Sequence, residues 1–528
     1  MSVFSHVKVR KPKSSTFDLS HQKKLSGKMG ELIPIFCVET VPGDEFKINT
    51  AQLLRMAPML APIFHQITVY QHYFFVPNRL LWDNWEGFIT GGEDGNNSSV
   101  WPNVEFSSST AIVGNLSDYM GIPDDFAYTA KVSALPFAAY GTIYNEYYRD
   151  ENLITKKDYK CVDGTQGTTS DLTLLSRGVC LKRAWQHDYF TSALPWTQKG
   201  PEATIPLGTS APITFTNNAT DVVYNREYTS APWTAGSFYD LEAGAYASNA
   251  ADLKADIGGG YRVATALDNS DNLFTDLSAA TAATINDLRS AFRLQEWLEK
   301  NARGGSRYIE SILSHFGVRS SDARLQRPEF LGGGSVPIQV SEVLQTSATT
   351  NNPPTGSSTS PLATMAGHGI AVGSNASIQY RCEEHGFIMG IMSIMPKTAY
   401  QQGLNKMWNR EDRFDYFWPE FAHLGEQEIA LKELYTNTTT PDLVFGYTPR
   451  YAEYKYMNDT VHGELKTSLQ FWHLGREFAT APSLNQQFIE CDPSERIFAV
   501  QGQEHIYAII NHQVLAKRPM PYFGTPTF

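Results

Sequence analysis

Two short stretches contain residue types that occur in phosphate-binding and metal-binding sites. Residues 332–335 have the sequence GGGS, which could cradle a phosphate. No Walker lysine follows, however, and the Val-Pro that comes next suits a loop entering a strand. Residues 382–385 have the sequence CEEH and could contribute metal ligands, with His385 as the donor. None of the 13 histidines shows the H-x-x-x-H or H-E-x-x-H spacing of a helical metal site, so His385 is interpreted as a residue flanking a strand.

The rest of the sequence gives no indication of a catalytic site. Asp124 and Asp125 lie in a predicted turn, where paired acids are usually solvated, and no G-x-S-x-G elbow occurs. A Ser-His-Asp triad is defined by geometry, so the order of residues alone does not exclude one. The 5 cysteines are far apart and form no C-x-x-C pair, which favours free thiols. We therefore predict a protein that is not an enzyme and that holds neither a cofactor nor a metal ion.

Binding chemistry is concentrated at the N-terminus. Residues 1–30 carry seven cationic side chains against one acid, Asp18, in a chain whose net charge is −12. Cationic side chains neutralise phosphates whatever the base sequence, so this segment is predicted to be a DNA-binding arm. A solubilising tail is the alternative. With few large apolar residues the arm is expected to be flexible. Its cationic residues are Lys8, Arg10, Lys11, Lys13, Lys23, Lys24 and Lys28.

Residues 209–283 form a long polar insertion with the opposite charge. Nine acids face three bases there, and the segment is rich in Ala, Thr, Ser, Asn and Gly. Long loops in compact domains are usually functional, so the insertion is either a recognition surface or a solvated, variable decoration. A second polar loop, residues 346–362, receives no role. The aromatic residues that the insertion could present to a partner are Trp233, Phe238, Tyr239 and Tyr246.

The elements that must position these residues are mostly strands. Residues 32–50 contain two apolar stretches separated by a Pro-Gly-Asp turn, and residues 385–396 form a third strand. Residues 496–521 are predicted to be two strands joined at Gly502. Helical periodicity is clearest over residues 284–317, with an interruption at a Gly-Gly pair and a closing glycine. The pattern predicts an all-β-dominated fold, an antiparallel sandwich or jelly roll with long loops and few helices.

An aromatic run occupies residues 65–92, where a predicted strand meets Pro77 and then a short helix that stops at two glycines. Aromatic residues in strands usually pack in the core, so the strand half is expected to be buried. The helical half mixes Arg with Trp, types that are enriched at interfaces. It is therefore a candidate subunit contact. Its residues are Arg79, Trp82, Trp85 and Phe88.

The overall composition favours a protein that buries surface against other copies. Charged residues are 19% of the chain, below the usual quarter, so much of the surface is neutral. We find no apolar run long enough to cross a bilayer and no signal-peptide core, which predicts a cytoplasmic place of synthesis.

Several long stretches, taken in order, resemble the major capsid proteins of the Microviridae, the small phages with circular single-stranded DNA. Within that family the resemblance is to the gokushovirus group. The match covers most of the chain outside residues 209–283 and 346–362. The stretches that carry it are STFDLSHQKKLSGKMGELIPIFCVETVPGDEFKI, RMAPMLAPIFHQITVYQHYFFVPNRLLWDNWEGFITGG, LPFAAYGTIYNEYYRDENL, RAWQHDYFTSALPWTQKGP and RIFAVQGQEHIYAIINHQVLAKRPMPYFGTPTF.

The resemblance implies a single eight-stranded antiparallel jelly roll, formed by residues 31–208 and 284–528. Copies of it would build a T=1 icosahedral shell around circular single-stranded DNA, with residues 209–283 projecting at the threefold axes toward a receptor on the bacterial surface. An internal scaffolding protein and a DNA pilot protein would be partners. Lys517 and Arg518 would line the inner surface. The protein would be a virion component, assembled in the host cytoplasm.

Two alternatives belong to other functional classes. A carbohydrate-binding, lectin-like jelly roll would explain aromatic residues in the insertion, but it explains neither the cationic arm nor the chain length. A glycoside hydrolase would need two carboxylates at a fixed separation, and no spacing in the sequence identifies such a pair.

Overall fold

The computed structural model describes residues 13–523 except 94, 202, 204–212, 216–272, 276–284, 306, 345, 347–348, 351–358, 361–364 and 376. The chain divides into two compact units. One consists of Met1–Lys199 with Glu299–Phe528, and the other is Gly200–Leu298.

Strands hold more of the chain than helices do, and nearly all strand pairs are antiparallel. The fold is therefore β-dominated, as the sequence predicts. The strands are β1 (Ser15–Asp18), β2 (His21–Gly27), β3 (Ile33–Thr40), β4 (Glu45–Met56), β5 (Ile67–Pro77), β6 (Asn103–Phe106), β7 (Ala130–Ser133), β8 (Ile213–Phe215), β9 (Leu273–Thr275), β10 (Glu329–Pro337), β11 (Gln339–Leu344), β12 (Thr349–Thr350), β13 (Thr359–Ser360), β14 (Met365–Ser374), β15 (Ile378–Arg381), β16 (Gly386–Pro396), β17 (Ala399–Tyr400), β18 (Glu426–Ala430), β19 (Val444–Pro449), β20 (Asp459–Thr460) and β21 (Ile506–Arg518).

Helices are short except in one region, where the predicted helical segment forms two helices separated by glycine. They are α1 (Asn78–Leu81), α2 (Trp85–Thr90), α3 (Leu116–Tyr119), α4 (Leu135–Ile143), which continues into a π-helical turn (Tyr144–Tyr148), α5 (Asp171–Arg177), α6 (Ile285–Gly304), α7 (Tyr308–Phe316) and α8 (Gln486–Ile489). None of the helices in the described ranges is long and apolar enough to cross a membrane.

Two antiparallel sheets dominate the larger unit. The seven-stranded sheet has the order β1-β21-β4-β14-β11, with β2 also paired to β21 and β15 to β4. The four-stranded sheet has the order β10-β5-β16-β3. In the smaller unit, β8 pairs with β9 near the two ends of the insertion predicted from the sequence.

The core lies between the two sheets. β4 and β21 alternate buried and exposed side chains, since one face of the large sheet packs inward and the other meets solvent. β16 is buried along its whole length. The four-stranded sheet is covered on its second face: the Phe74 ring lies 4.7 Å from Tyr147, and His72 Nδ1 lies 2.8 Å from the Tyr148 hydroxyl. Its strands therefore lack the simple alternation of a half-exposed sheet.

The structure confirms the strands predicted around residues 32–50 and 385–396 and the two helices within 284–317. Two expectations are wrong. Residues 15–27 are not a flexible arm, because β1 and β2 pair with β21 and gain their backbone hydrogen bonds there. Residues 496–521 form one strand, β21, and the segment before Gly502 is only a 3₁₀ turn at Glu495–Ile497.

A buried polar chain joins the two sheets. His512 of β21 is fully buried, and its Nε2 donates to the Ile35 carbonyl at 3.1 Å. Its Nδ1 lies 3.1 Å from the Thr50 hydroxyl, which is 2.6 Å from the Tyr73 hydroxyl. Burial, with His21 nearby, lowers the pKa of His512 to about 4. The ring is therefore neutral at pH 7, with one nitrogen donating and the other accepting.

The subunit is expected to lose stability in mild acid through His512. An unfolded histidine has a pKa near 6.5, so the unfolded chain binds the extra proton first as the pH falls from about 6.5 toward 4. The free energy of unfolding should drop by about 2 kcal/mol between pH 7 and pH 5 from this residue. Denaturant unfolding of His512→Gln should show a flatter pH dependence, and an unchanged slope would contradict the assignment. His462→Gln, at an exposed site, is the matched control.

Candidate subunit-contact and nucleic-acid surfaces

The aromatic run at residues 65–92 contains both core and surface side chains, but the core extends further along the run than the sequence predicts. Trp82 follows α1, is 1% exposed, and donates its indole N–H to Asp163 at 2.7 Å. The predicted role of Trp82 as a subunit contact is therefore wrong, because its side chain packs inside its own subunit. It lies in the same buried cluster as Phe74 and Phe75.

The remaining predicted contact residues lie at the surface around Trp82. Phe88 is 40% exposed, with its ring 5.1 Å from Trp82. Trp85 is half-buried, and its ring lies 5.7 Å from His385. Arg79 pairs with Glu384 at 2.6 Å. Phe88 and the outer edge of Trp85 can meet a neighbour, whereas the Arg79 charge already has a partner.

The predicted DNA-binding arm is only partly described. Lys8, Arg10 and Lys11 lie outside the described residues, and Lys13 is exposed. In β2, successive side chains point to opposite faces, so Lys24 faces solvent and Lys23 points inward. The Lys23 ammonium donates to the carbonyls of Pro34 and Tyr119, and burial lowers its pKa. Lys23 is therefore not available to bind phosphate, contrary to the prediction.

Three other predicted basic residues have acidic neighbours. Lys28 pairs with Glu495 at 3.3 Å, and Lys517 with Glu45 at 3.1 Å. Arg518 lies 3.5 Å from an Asp44 oxygen and donates to the Glu39 carbonyl. Lys517 keeps half of its side chain exposed, whereas Arg518 is mostly enclosed. Of the two, Lys517 is the better candidate for a contact beyond its own chain.

The exposed sheet face, defined as the solvent side of the seven-stranded sheet, gathers five cations, of which only Lys24 and Lys517 were candidates from the sequence. Directly paired residues share a face, so Arg381 joins Glu45 and Lys517 there, and Lys24 joins Ile509. The acids on this face are Asp18 and Glu45. The period-2 alternation of β4 and β21 is a sequence signal that could have placed Lys47, Arg55 and Lys517 on one face. Its cations are Lys24, Lys47, Arg55, Arg381 and Lys517.

A groove of about 720 Å³ opens on the exposed sheet face. Tyr507, 46% exposed, lies directly opposite Arg55 in the ladder. Lys24 and Ile509 line the groove as a neighbouring pair. Asp118 and Glu504 lie on its wall, so the cations are concentrated on the sheet and not on the loop beside it. The floor thus combines an aromatic ring, aliphatic side chains and two cations.

The sequence candidates for chemistry have structural explanations. Residues 332–335 lie inside β10, not in a loop entering a strand, and follow a bulge between Phe330 and Gly332. A Cβ at Gly333 would lie 2.4 Å from the Gln71 carbonyl oxygen, so close strand packing requires that glycine. Asp124 and Asp125 are exposed, and His385 flanks β16. The described residues hold no group of three or more His, Cys, Asp or Glu side chains that could bind a metal ion.

The insertion residues Trp233, Phe238, Tyr239 and Tyr246 lie outside the described part of the chain. Their predicted role in recognition stays a prediction.

Comparison with known proteins gives a consistent result along the chain. A family model described as capsid protein (F protein) matches residues 5–528. Capsid protein VP1 of Bdellovibrio phage phiMH2K is 39% identical over 531 residues, covering 97% of this chain and 95% of that protein. Capsid protein VP1 of Chlamydia phage 1 is 35% identical over 587 residues, covering 99% and 97%. Capsid protein VP1 of Spiroplasma virus 4 is 30% identical over 551 residues, covering 97% and 95%.

Proposed function

We propose, given that this chain belongs to the capsid protein (F protein) family and is a structural component of a phage virion, that it is an eight-stranded jelly roll building a T=1 icosahedral shell. The alternation of consecutive strands between the two sheets carries the fold proposal. β2, β4, β14 with β15, and β21 belong to the large sheet, whereas β3, β5, β10 and β16 form the small one. Among these eight, only the step from β5 to β10 stays within a sheet, and β1 and β11 add further strands to the large sheet. Viral capsid domains use this double-sheet arrangement.

The lectin-like alternative explains less. It would require a carbohydrate-binding site in this chain. The relatives that span the chain are capsid proteins, which favours the shell over a lectin. The residues available for it, in the insertion, lie outside the described part of the chain.

We further propose that the exposed sheet face meets the single-stranded genome inside the shell. Five cations face two acids there, although the whole chain has a net charge of −12. Proteins that bind single strands without sequence preference combine a cationic surface with aromatic rings on which bases stack. Tyr507, between Lys24 and Arg55, has that arrangement. The arm residues Lys8, Arg10, Lys11 and Lys13 would add cations beyond the strands.

Removing cations from the exposed sheet face should weaken DNA binding while shells still form. Each cation that contacts a phosphate contributes about 0.7 to the salt slope for single strands, so Lys24→Ala/Lys47→Ala/Arg55→Ala should reduce the slope by about 2. Oligonucleotide binding to dissociated subunits at several salt concentrations measures this slope, and the 260/280 nm absorbance ratio of purified particles reports packaged DNA.

Lys131→Ala is the matched control, because Lys131 is an exposed cation on β7, outside the large sheet. Unchanged DNA content and slope in the triple variant would exclude this face as the genome contact. Alanine at Lys8, Arg10, Lys11 and Lys13 tests the arm separately.

The insertion, residues 209–283, is proposed to project at the threefold axes and to contact the host surface. Its excess of acids supports an outward position, since like charges keep particles apart. The pairing of β8 with β9 near its two ends supports a segment that leaves and rejoins the chain at neighbouring points. An internal scaffolding protein and a DNA pilot protein complete the proposed set of partners.

A further inference from the structure

An exposed aromatic surface lies far in sequence from the run at residues 65–92. It is formed by residues 406–421 together with 451–456, and we call it the aromatic surface. The six aromatic side chains that define it are between 44% and 70% exposed. Such side chains normally lie inside a protein, so their grouping at the surface is unusual. The six that define it are Trp408, Phe414, Tyr416, Phe417, Trp418 and Tyr454.

The backbone under the aromatic surface is fixed by short turns. The segment contains three 3₁₀ turns, Lys406–Trp408, Arg413–Asp415 and Pro419–Phe421. Asn405 caps the first through its side chain, which accepts from the Met407 N–H at 3.0 Å. The Asp415 carboxylate accepts from the backbone N–H groups of Glu411 and Asp412 at 2.8 and 2.9 Å. These bonds hold an irregular segment in one conformation.

A buried ion pair holds the aromatic rings in place. Arg410 and Glu453 are 6% and 7% exposed and lie 3.6 Å apart. The Arg410 guanidinium stacks on Tyr454 at 4.4 Å and on Tyr416 at 5.1 Å. The Trp418 indole donates to the Arg413 carbonyl at 2.9 Å. The rings are thus held before any partner binds, which reduces the entropy lost on association.

The size of the aromatic surface fits a stable protein contact. A fully buried aromatic side chain removes about 150–250 Å² from solvent, so six at about half exposure present on the order of 450–750 Å². The largest apolar patch of a typical monomer is about 300–600 Å², and a standard interface takes about 800 Å² from each partner. With the exposed Met407 beside Trp408, the aromatic surface approaches the interface value.

The charges of this surface indicate the kind of partner. Residues 406–421 hold three cations, Lys406, Arg410 and Arg413, against four acids. Lys406 lies 3.7 Å from Glu433, and Arg410 is paired below the rings. The surface is nearly neutral, so it attracts neither DNA nor a strongly charged peptide. A neutral, largely apolar surface does not repel its own copy, so it suits a contact between identical subunits.

We propose that a second copy of this chain packs on the aromatic surface in the shell. The inference rests on the proposed shell and names one of its contacts. Trp408, Tyr416 and Trp418 are the anchoring side chains, because Trp and Tyr are enriched among residues whose truncation most weakens interfaces. Arg410 is a positioning residue that acts through the two tyrosine rings.

Site-specific photo-cross-linking in assembled particles tests the proposal. The full chain, expressed with the other proteins of its phage, carries p-benzoylphenylalanine in place of Trp408. The same substitution at Tyr128, 69% exposed and outside the aromatic surface, is the control. The expected product joins two copies of this chain, identified by peptide mapping. Three outcomes would overturn the proposal. They are a cross-link only to another phage protein, a cross-link within a single chain to residues 209–283, and a cross-linking yield no higher than at Tyr128.

Truncation gives an independent readout. Trp408→Ala/Tyr416→Ala should reduce particle yield by more than about tenfold while the unfolding transition of the isolated subunit stays close to that of the unchanged chain. Tyr128→Ala should assemble normally. Normal assembly of the double variant would overturn the proposal and leave the shell intact. Failure of the unchanged chain to form particles would instead refute the proposed shell itself.

Discussion

Trp82→Ala is expected to destabilise the subunit by about 3–5 kcal/mol, the usual cost of removing a fully buried large aromatic side chain. Trp82 is 1% exposed, packs against Trp85 and Phe88, and loses its hydrogen bond to Asp163 in the variant. Denaturant unfolding of the isolated subunit measures the effect.

Phe88→Ala is the matched control from the same run. Because Phe88 is 40% exposed, its truncation should cost about 1 kcal/mol or less. Trp85→Ala, at a half-buried site, should impair particle assembly more than it impairs folding. Equal losses of stability for Trp82→Ala and Phe88→Ala would contradict this division of the run. Normal particle yield from Trp85→Ala would remove that residue from the candidate contacts.

Gly30→Ala is expected to cost more than about 4 kcal/mol and to leave little folded subunit. Gly30 lies between β2 and β3 with φ +84°, and an added Cβ would lie 1.9 Å from the Cys491 carbonyl oxygen. Its own N–H donates to the Ile394 carbonyl, and its carbonyl accepts from the Arg183 N–H, both at 2.8 Å. Three segments therefore prevent the backbone from moving away.

Gly502→Ala is the control that measures the cost of a left-handed backbone without a steric clash. Gly502 has φ +79°, but its added Cβ would meet nothing within 4 Å. It should therefore cost only the strain of a left-handed conformation, about 1–2 kcal/mol. Soluble yield and thermal unfolding of the two variants provide the comparison. A similar, small cost for both would show that the turn at Gly30 adjusts.

Local sequence patterns predicted the turns and helix ends that depend on their own residues and not on long-range contacts. The Pro-Gly-Asp turn between β3 and β4, and the glycines that end α6 and α7, were identified because they act through their own backbone. α4 was not identified, because it is apolar around most of its circumference and shows no amphipathic period. It packs over the small sheet, and the Tyr140 hydroxyl donates to the Leu32 carbonyl at 2.8 Å.

Long-range pairing accounts for the errors. Composition alone indicated that residues 15–27 could not fold, but β1 and β2 obtain their partner from β21, almost five hundred residues later. The same pairing points Lys23 inward and Lys24 outward. Trp82 and Phe88 are alike in sequence context, and only the position of Asp163 and the neighbouring core distinguishes them.

The aromatic surface did leave a signal in the sequence. Residues 408–421 contain six aromatic side chains interleaved with arginines and acids, a composition typical of interface hot spots. Sequence alone could not separate this from a buried strand, because exposure depends on the turns that Asn405, Asp415 and Pro419 impose.

Electron microscopy and sizing of the chain, expressed alone and together with the other proteins of its phage, test the central claim most directly. The account predicts uniform icosahedral particles with T=1 symmetry in at least the second condition. A persistent monomer or small oligomer under both conditions would contradict the proposed shell.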